Sequence, residues 1–236
     1  MSIKRVSRRE ALGILGVAGA AATLGCGGSS DVAGASSTPT TTGGTGSSAT
    51  CAVTPTETIG PYPSLTNFVR SDIREGKAGL PLKVTITVVN ANNACSPVAN
   101  AAVDIWHSDA DGHYSEYAQA GYNGTGQTYL RGIQTTDASG QVTFTSIFPG
   151  WYSGRATHVH VEVKVNNAVV KVTQFAFPES VNDAVYATGV YASRGPNRTA
   201  NASDMVFADS LSSEMATVTG DPASGLNAAF TVVVAV

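Results

Sequence analysis

The sequence predicts an all-β chain, an antiparallel β-sandwich with a few short helices and long loops. Three observations point there. Apolar and polar residues alternate strictly over strand-length stretches, most clearly in His158-Val159-His160-Val161-Glu162-Val163-Lys164-Val165. Gly, Asn, Asp and Pro clusters separate those stretches. Residues 51–236 supply enough chain for one domain with a substantial core, and no internal repeat divides them.

Residues 1–26 read as a twin-arginine export signal: Lys4 and Arg5 precede Ser7-Arg8-Arg9-Glu10-Ala11-Leu12, and an apolar run extends from Ala11 to Leu24. That run falls short of the ~20 residues that span a bilayer as a permanent helix. Thr23-Leu24-Gly25-Cys26 resembles a lipoprotein cleavage site, which makes Cys26 the candidate lipidation site of an exported, periplasmic or cell-surface protein. If an ordinary signal peptidase cuts nearby instead, Cys26 is free or removed. Residues 27–50 hold six Gly, six Ser and six Thr with a single charge at Asp31. Such a segment cannot bury enough apolar surface to fold and reads as a flexible linker, with a coil reach of about 25 to 30 Å.

Within 51–236 the strand candidates, in order, are Leu82 to Asn90, Val103 to Trp106, Gln141 to Phe148, His158 to Val165, Val169 to Phe177 and Ala229 to Val236. Short helices are expected at Ser71 to Arg74 and within Ser203 to Thr217. Cys51 and Cys95, in an exported domain, favour a disulfide. Without the first 26 residues the chain keeps 10 basic and 16 acidic residues, a net charge of −6. With no basic stripe either, nucleic acid is an improbable partner.

Chemistry concentrates in two places. Pro149-Gly150-Trp151-Tyr152-Ser153-Gly154-Arg155-Ala156-Thr157-His158-Val159-His160 carries a phenol, a guanidinium and a His-x-His pair. On a strand both imidazoles share a face, so two nitrogens can meet one ion; the same face could equally be the solvated side of the sheet. Upstream, Val103-Asp104-Ile105-Trp106 breaks at Asp109-Ala110-Asp111-Gly112 and delivers Tyr114 just past a turn. Asp109 and Asp111 lack the full acidic spacing and terminal glutamate of a calcium loop, so a turn accounts for them better. His107 and His113 read as structural.

The order Asp-Gly-x-Tyr114, Phe148-Pro149-Gly150-Trp151-Tyr152, Arg155, His158-x-His160 resembles the intradiol ring-cleavage dioxygenases, the protocatechuate and catechol dioxygenase family. Thr58-Ile59-Gly60-Pro61-Tyr62 and Val172-Thr173-Gln174-Phe175 extend the likeness over nearly the whole of 51–236. The resemblance implies a mononuclear non-haem Fe(III) held by Tyr114, Tyr152, His158 and His160, with Tyr152 and His160 axial and Tyr152 the ligand a catechol displaces. It implies an Arg155 that supports negative charge on the bound catecholate, and a Gln174 that orients oxygen or substrate or serves as a core-edge amide. Tyr62 and Trp151 could line the ring pocket or simply pack. The expected partners are a small aromatic diol and dioxygen, and the expected product is a muconate-type diacid. Only five residues separate Tyr152 from His158, shorter than in the protocatechuate and catechol enzymes, which resembles an exported single-domain branch and leaves the catechol undefined.

Three alternatives remain at this point. A ferrous site would need two histidines and one carboxylate, for which Glu162 is the candidate. A zinc hydrolase would use two tyrosinates poorly. A non-catalytic, transthyretin-like surface module shares Ala-x-Val and Asp-Gly-x-Tyr patterns but has no use for Tyr114, Tyr152, Arg155, His158 and His160 together.

Overall fold

The computed structural model describes residues 51–236; the expected export signal, Cys26 and the expected linker lie outside the described residues. The architecture is all-β. Its elements are β1 (Pro81–Asn90), β2 (Ser96–Pro97), β3 (Ala102–Trp106), β4 (Ala118–Gln119), β5 (Tyr122–Asn123), β6 (Arg131–Thr135), β7 (Gln141–Ile147), β8 (His158–Val165), β9 (Ala168–Ala176), α1 (Glu179–Tyr186), β10 (Thr217–Asp221) and β11 (Gly225–Val234).

One sheet runs β10-β11-β1, with β2 and β7 both pairing to β1; the other runs β6-β3-β8-β9. Period-two alternation dictates what lies between them. Val84, Ile86 and Val88 of β1, Phe144 of β7 and Phe230 and Val232 of β11 meet Val103 and Ile105 of β3, Val159, Val161 and Val163 of β8 and Phe175 of β9 in one core. Each fully buried valine is worth about 1.5 to 3 kcal/mol of burial. The six expected strands are all present, and β6 and β10 add edges that polar, Gly-containing sequences had concealed.

The structure departs from expectation in three places. The β1–β11 pairing is parallel, from Leu82 opposite Leu226 to Asn90 opposite Val234, so the sandwich is not wholly antiparallel. Parallel neighbours need a long crossover, and here most of the domain supplies it. Ser71 to Arg74 is not a helix: Ile73 N donates to Thr145 O and Thr145 N donates to Ser71 O, so its backbone groups are spent on the edge of β7. Ser203 to Thr217 holds only 3-10 turns at Asn201–Ser203 and Leu211–Ser213 before β10 begins. Ser and Asp side chains there bond nearby backbone, for example Val206 N to Asp204 Oδ1 at 2.8 Å, and so compete with helix formation. The α-helix occurs earlier, at Glu179–Tyr186, directly after Pro178.

Cys51 and Cys95 form the expected disulfide with Cα atoms 5.9 Å apart. It ties the start of the domain beside β2. From there the chain runs along the sandwich, Thr54 N donating to Val233 O and Glu57 N to Val172 O, which carries residues 58–62 to the open end of β8.

Candidate metal centre

β8 starts at His158. Its valines fill the core, so His158 and His160 face the opposite side, where loops cover them: they are 3% and 1% exposed, and the solvated-face alternative does not hold. Register places Trp106 and Gln174 on either side of His160. The Trp106 and His160 rings stack with centroids 5.0 Å apart and planes 3° apart, and an added Cβ on Gly60 would stand 2.8 Å from His160 Cε1. The second histidine is therefore clamped between an indole and a backbone that only glycine allows.

Two loops complete the set. The β3–β4 connection brings Tyr114 and the β7–β8 connection brings Tyr152. His158 Nε2 lies 3.4 Å from Tyr114 Oη, 3.1 Å from Tyr152 Oη and 3.2 Å from His160 Nε2. Adjacent ligands of an ion bound at about 2.1 Å, at right angles, stand about 3 Å apart, so the spacing matches one coordination shell.

The hydrogen bonding points the same way. His158 Nδ1 lies 2.6 Å from Ala156 O, an acceptor only, so Nδ1 carries the proton and Nε2 turns a lone pair to the centre. His160 Nδ1 is buried with no hydrogen-bond partner. If Nδ1 carries the His160 proton, two lone pairs meet at 3.2 Å, a costly arrangement that a cation between them relieves.

Burial holds all four groups neutral. It pushes His158 down to about 3, with Arg155 adding to the effect, and His160 well below its ordinary value, with His158 adding. It pushes the Tyr114 phenol well above its ordinary value, and Tyr152 up as well, against the opposing charge of Arg155. Neither phenol ionises unaided here. A hard, highly charged cation would lower both, and a set of two phenolates and two imidazoles fits ferric iron better than zinc.

Arg155 is held on two sides. Its Nη2 donates to Gln174 Oε1 at 2.7 Å and its Nε to Asp204 Oδ2 at 2.8 Å. Gln174, fully buried, donates from Nε2 to Thr58 O at 2.8 Å, so it belongs to the Arg155 brace. Asp204 had no signal in the sequence because it lies in an irregular segment without periodicity. Burial pushes its carboxyl up, yet hydrogen bonds from Ala156 N, Arg155 and Val206 N bring it below the usual carboxylate value. Arg131, also missed, is 1% exposed; it donates to Ser115 O at 2.7 Å and Tyr62 O at 2.9 Å and pairs with Glu116 at 3.2 Å, bracing the backbone beside Tyr114.

Tyr62 packs its ring 5.0 Å from Tyr114 and 5.3 Å from Tyr117, half-buried beside the donors. Trp151 turns to the 189–195 segment, its Nε1 donating to Gly195 O at 2.9 Å and the Arg194 guanidinium lying 4.6 Å over its ring. His107 spends both ring nitrogens, on Ser108 O and Ser146 Oγ, and burial pushes it down to about 4. Asp109, Asp111 and His113 lie close together, but Asp109 is matched by Lys77 Nζ at 2.6 Å and accepts from Asp111 N and His113 N, as a turn requires. Glu162 pairs with Lys164 at 2.7 Å and not with the four donors, which removes the two-histidine, one-carboxylate arrangement.

Comparison with known proteins converges on one family. A family model described as "Dioxygenase" matches residues 62–233. The catechol 1,2-dioxygenase 1 of Acinetobacter lwoffii is 30% identical over 142 residues, which is 50% of this chain and 43% of that protein, so less than half of the curated relative is spanned. An intradiol ring-cleavage dioxygenase from Tetranychus urticae is 29% identical with a TM-score of 0.72, over 78% of this chain and 95% of that one. The dioxygenase domain of a carbohydrate-binding fusion from Streptomyces sp. SirexAA-E is 27% identical with a TM-score of 0.59, over 78% and 99%.

Proposed function

This chain belongs to the intradiol ring-cleavage dioxygenase family, and on that footing we propose that it uses Fe(III) to cleave a catechol-type diol with dioxygen to a cis,cis-muconate-type diacid. The observation that carries the reading is the convergence of Tyr114, Tyr152 and His160 on His158 Nε2 within 3.4 Å. Tyr114, Tyr152, His158 and His160 would hold the iron, which would supply a Lewis acid that draws charge from the bound diol and opens its ring to oxygen.

The residues divide the remaining work. Tyr114 is 1% exposed, whereas Tyr152 is only partly buried, so Tyr152 would be the phenol placed to take up a proton from an incoming diol. Arg155 stands beside Tyr152, eases ionisation of that phenol, and stabilises negative charge on a diolate in a water-poor pocket. Gln174 and Thr58 O keep the guanidinium from swinging away. Tyr62 supplies a flat wall to one side. Both oxygen atoms of dioxygen enter the product and the cleaved bond joins the two hydroxyl-bearing carbons.

Product analysis tests the proposal. Catechol and labelled dioxygen should give cis,cis-muconate with both labels; a yellow semialdehyde from cleavage outside the diol, or no turnover by iron-replete protein, would overturn it. We also propose that the enzyme works outside the cytoplasm, on the strength of Arg8, Arg9 and the apolar run to Leu24, with Cys26 as a lipid anchor. Signal-dependent export of the full chain and mass analysis of Cys26 test that placement.

A further inference from the structure

We propose that Asp204 is the positioning residue for Arg155, the group that meets the diolate; this rests on the catechol reading above. Asp204 is fully buried and accepts three hydrogen bonds: Arg155 Nε at 2.8 Å and Ala156 N at 2.5 Å on Oδ2, and Val206 N, from its own segment, at 2.8 Å on Oδ1.

The carboxylate holds Arg155 and the turn that follows it. Arg155 is pinned at Nε by Asp204 and at Nη2 by Gln174, so the plane of the guanidinium is fixed from two directions. Ala156 is pinned at its N–H by the same carboxylate, while its carbonyl holds His158 Nδ1 at 2.6 Å and sets the direction of Nε2. Phe207, three residues after Asp204, packs 6.4 Å from the His158 ring and 5.8 Å from the Arg155 guanidinium carbon, closing the same corner.

An acceptor-only group suits this place because every neighbour that reaches it is an N–H donor. An amide would turn its own N–H groups against at least one of them. A misplacement of about 1 Å at a group that orients substrate costs roughly 100-fold in reactivity, so the loss should appear in catechol handling and not in iron uptake.

The test compares iron-loaded wild type, Asp204→Asn, Arg155→Met and the double variant by anaerobic catechol titration followed in the visible band, with steady-state turnover per bound iron. Asp204→Asn should keep its iron content within about twofold yet bind catechol roughly 10- to 100-fold more weakly. In the Arg155→Met background the same substitution should add less than about twofold, as coupled residues do. Should Asp204→Asn not fold, Asp204→Glu carries the test: charge is retained, the guanidinium is displaced, and a loss of about fivefold or more should again vanish without Arg155. Equal catechol affinity in wild type and variant, or the full loss persisting in the double variant, overturns the role of Asp204 alone. A wild type that holds iron but ignores catechol overturns the catechol reading and this role with it.

Discussion

The Nε2 atoms of His158 and His160 face each other at 3.2 Å in a pocket where neither histidine is more than 3% exposed. With the His158 proton on Nδ1, both Nε2 lone pairs can turn to the centre when the His160 proton sits on Nδ1, which is the arrangement a cation between them favours. His160→Ala or Tyr152→Phe should therefore abolish iron-dependent turnover, with iron per chain falling in His160→Ala. Elemental analysis with turnover checks this, and full iron content with full turnover in either variant contradicts it.

Gly60 offers a sharper probe of the clamp on His160. Its φ is 77° and an added Cβ would lie 2.8 Å from His160 Cε1, whereas Gly76, with φ 74°, has nothing within 4 Å. Gly60→Ala and Gly76→Ala share the backbone strain, about 1 kcal/mol or more. Only Gly60→Ala should also weaken iron retention against a chelator. Equal retention in both variants would show that the His160 ring gives way freely.

Glu214 predicts a pH dependence of stability. Burial pushes its carboxyl up from 4.5 to about 7, against hydrogen bonds from Ser210 and Thr173. A folded-state value above the unfolded one means the folded protein holds the extra proton, so this contribution is fully present below about pH 4.5 and is lost as pH rises through about 7. Asp104 is also pushed up, to about 7, while Asp72 and Asp204 are lowered, so the readout is a difference: Glu214→Gln should gain stability on wild type as pH rises from 4.5 past 7. Thermal melts at several pH values decide it, and parallel curves would contradict the assignment.

The disulfide gives a prediction free of the metal. Cys51 and Cys95 close a loop with a sequence separation of 44. The chain-entropy account gives about 4 kcal/mol as an upper guide. Replacing both cysteines with serine should lower the melting temperature while leaving turnover per iron close to wild type, since the bridge sits beside β2 and away from the four donors.

How much was legible follows from what each segment does. The strands with a clean period of two, β1 and β8 above all, were readable because one face fills the core. β6 was not, because Arg131 and Gly132 serve a brace and a close approach to Ile73, and neither leaves an apolar trace. Tyr114, Tyr152, His158 and His160 were nominated through a family pattern of residues in order; their convergence was not legible, since it is made by two loops. Asp204 was illegible for a physical reason: its value lies wholly in tertiary hydrogen bonds to Arg155, Ala156 and Val206. The parallel pairing of β1 with β11 was hidden because a strand's sequence does not state the direction of its neighbour.

Visible absorption tests most directly for a ferric, tyrosinate-ligated centre that binds a catechol. Purified protein with iron quantified should show a red-brown tyrosinate-to-iron band at one iron per chain, and the band should shift on anaerobic addition of catechol. A colourless protein that takes up no iron and shows no response to catechol would contradict it.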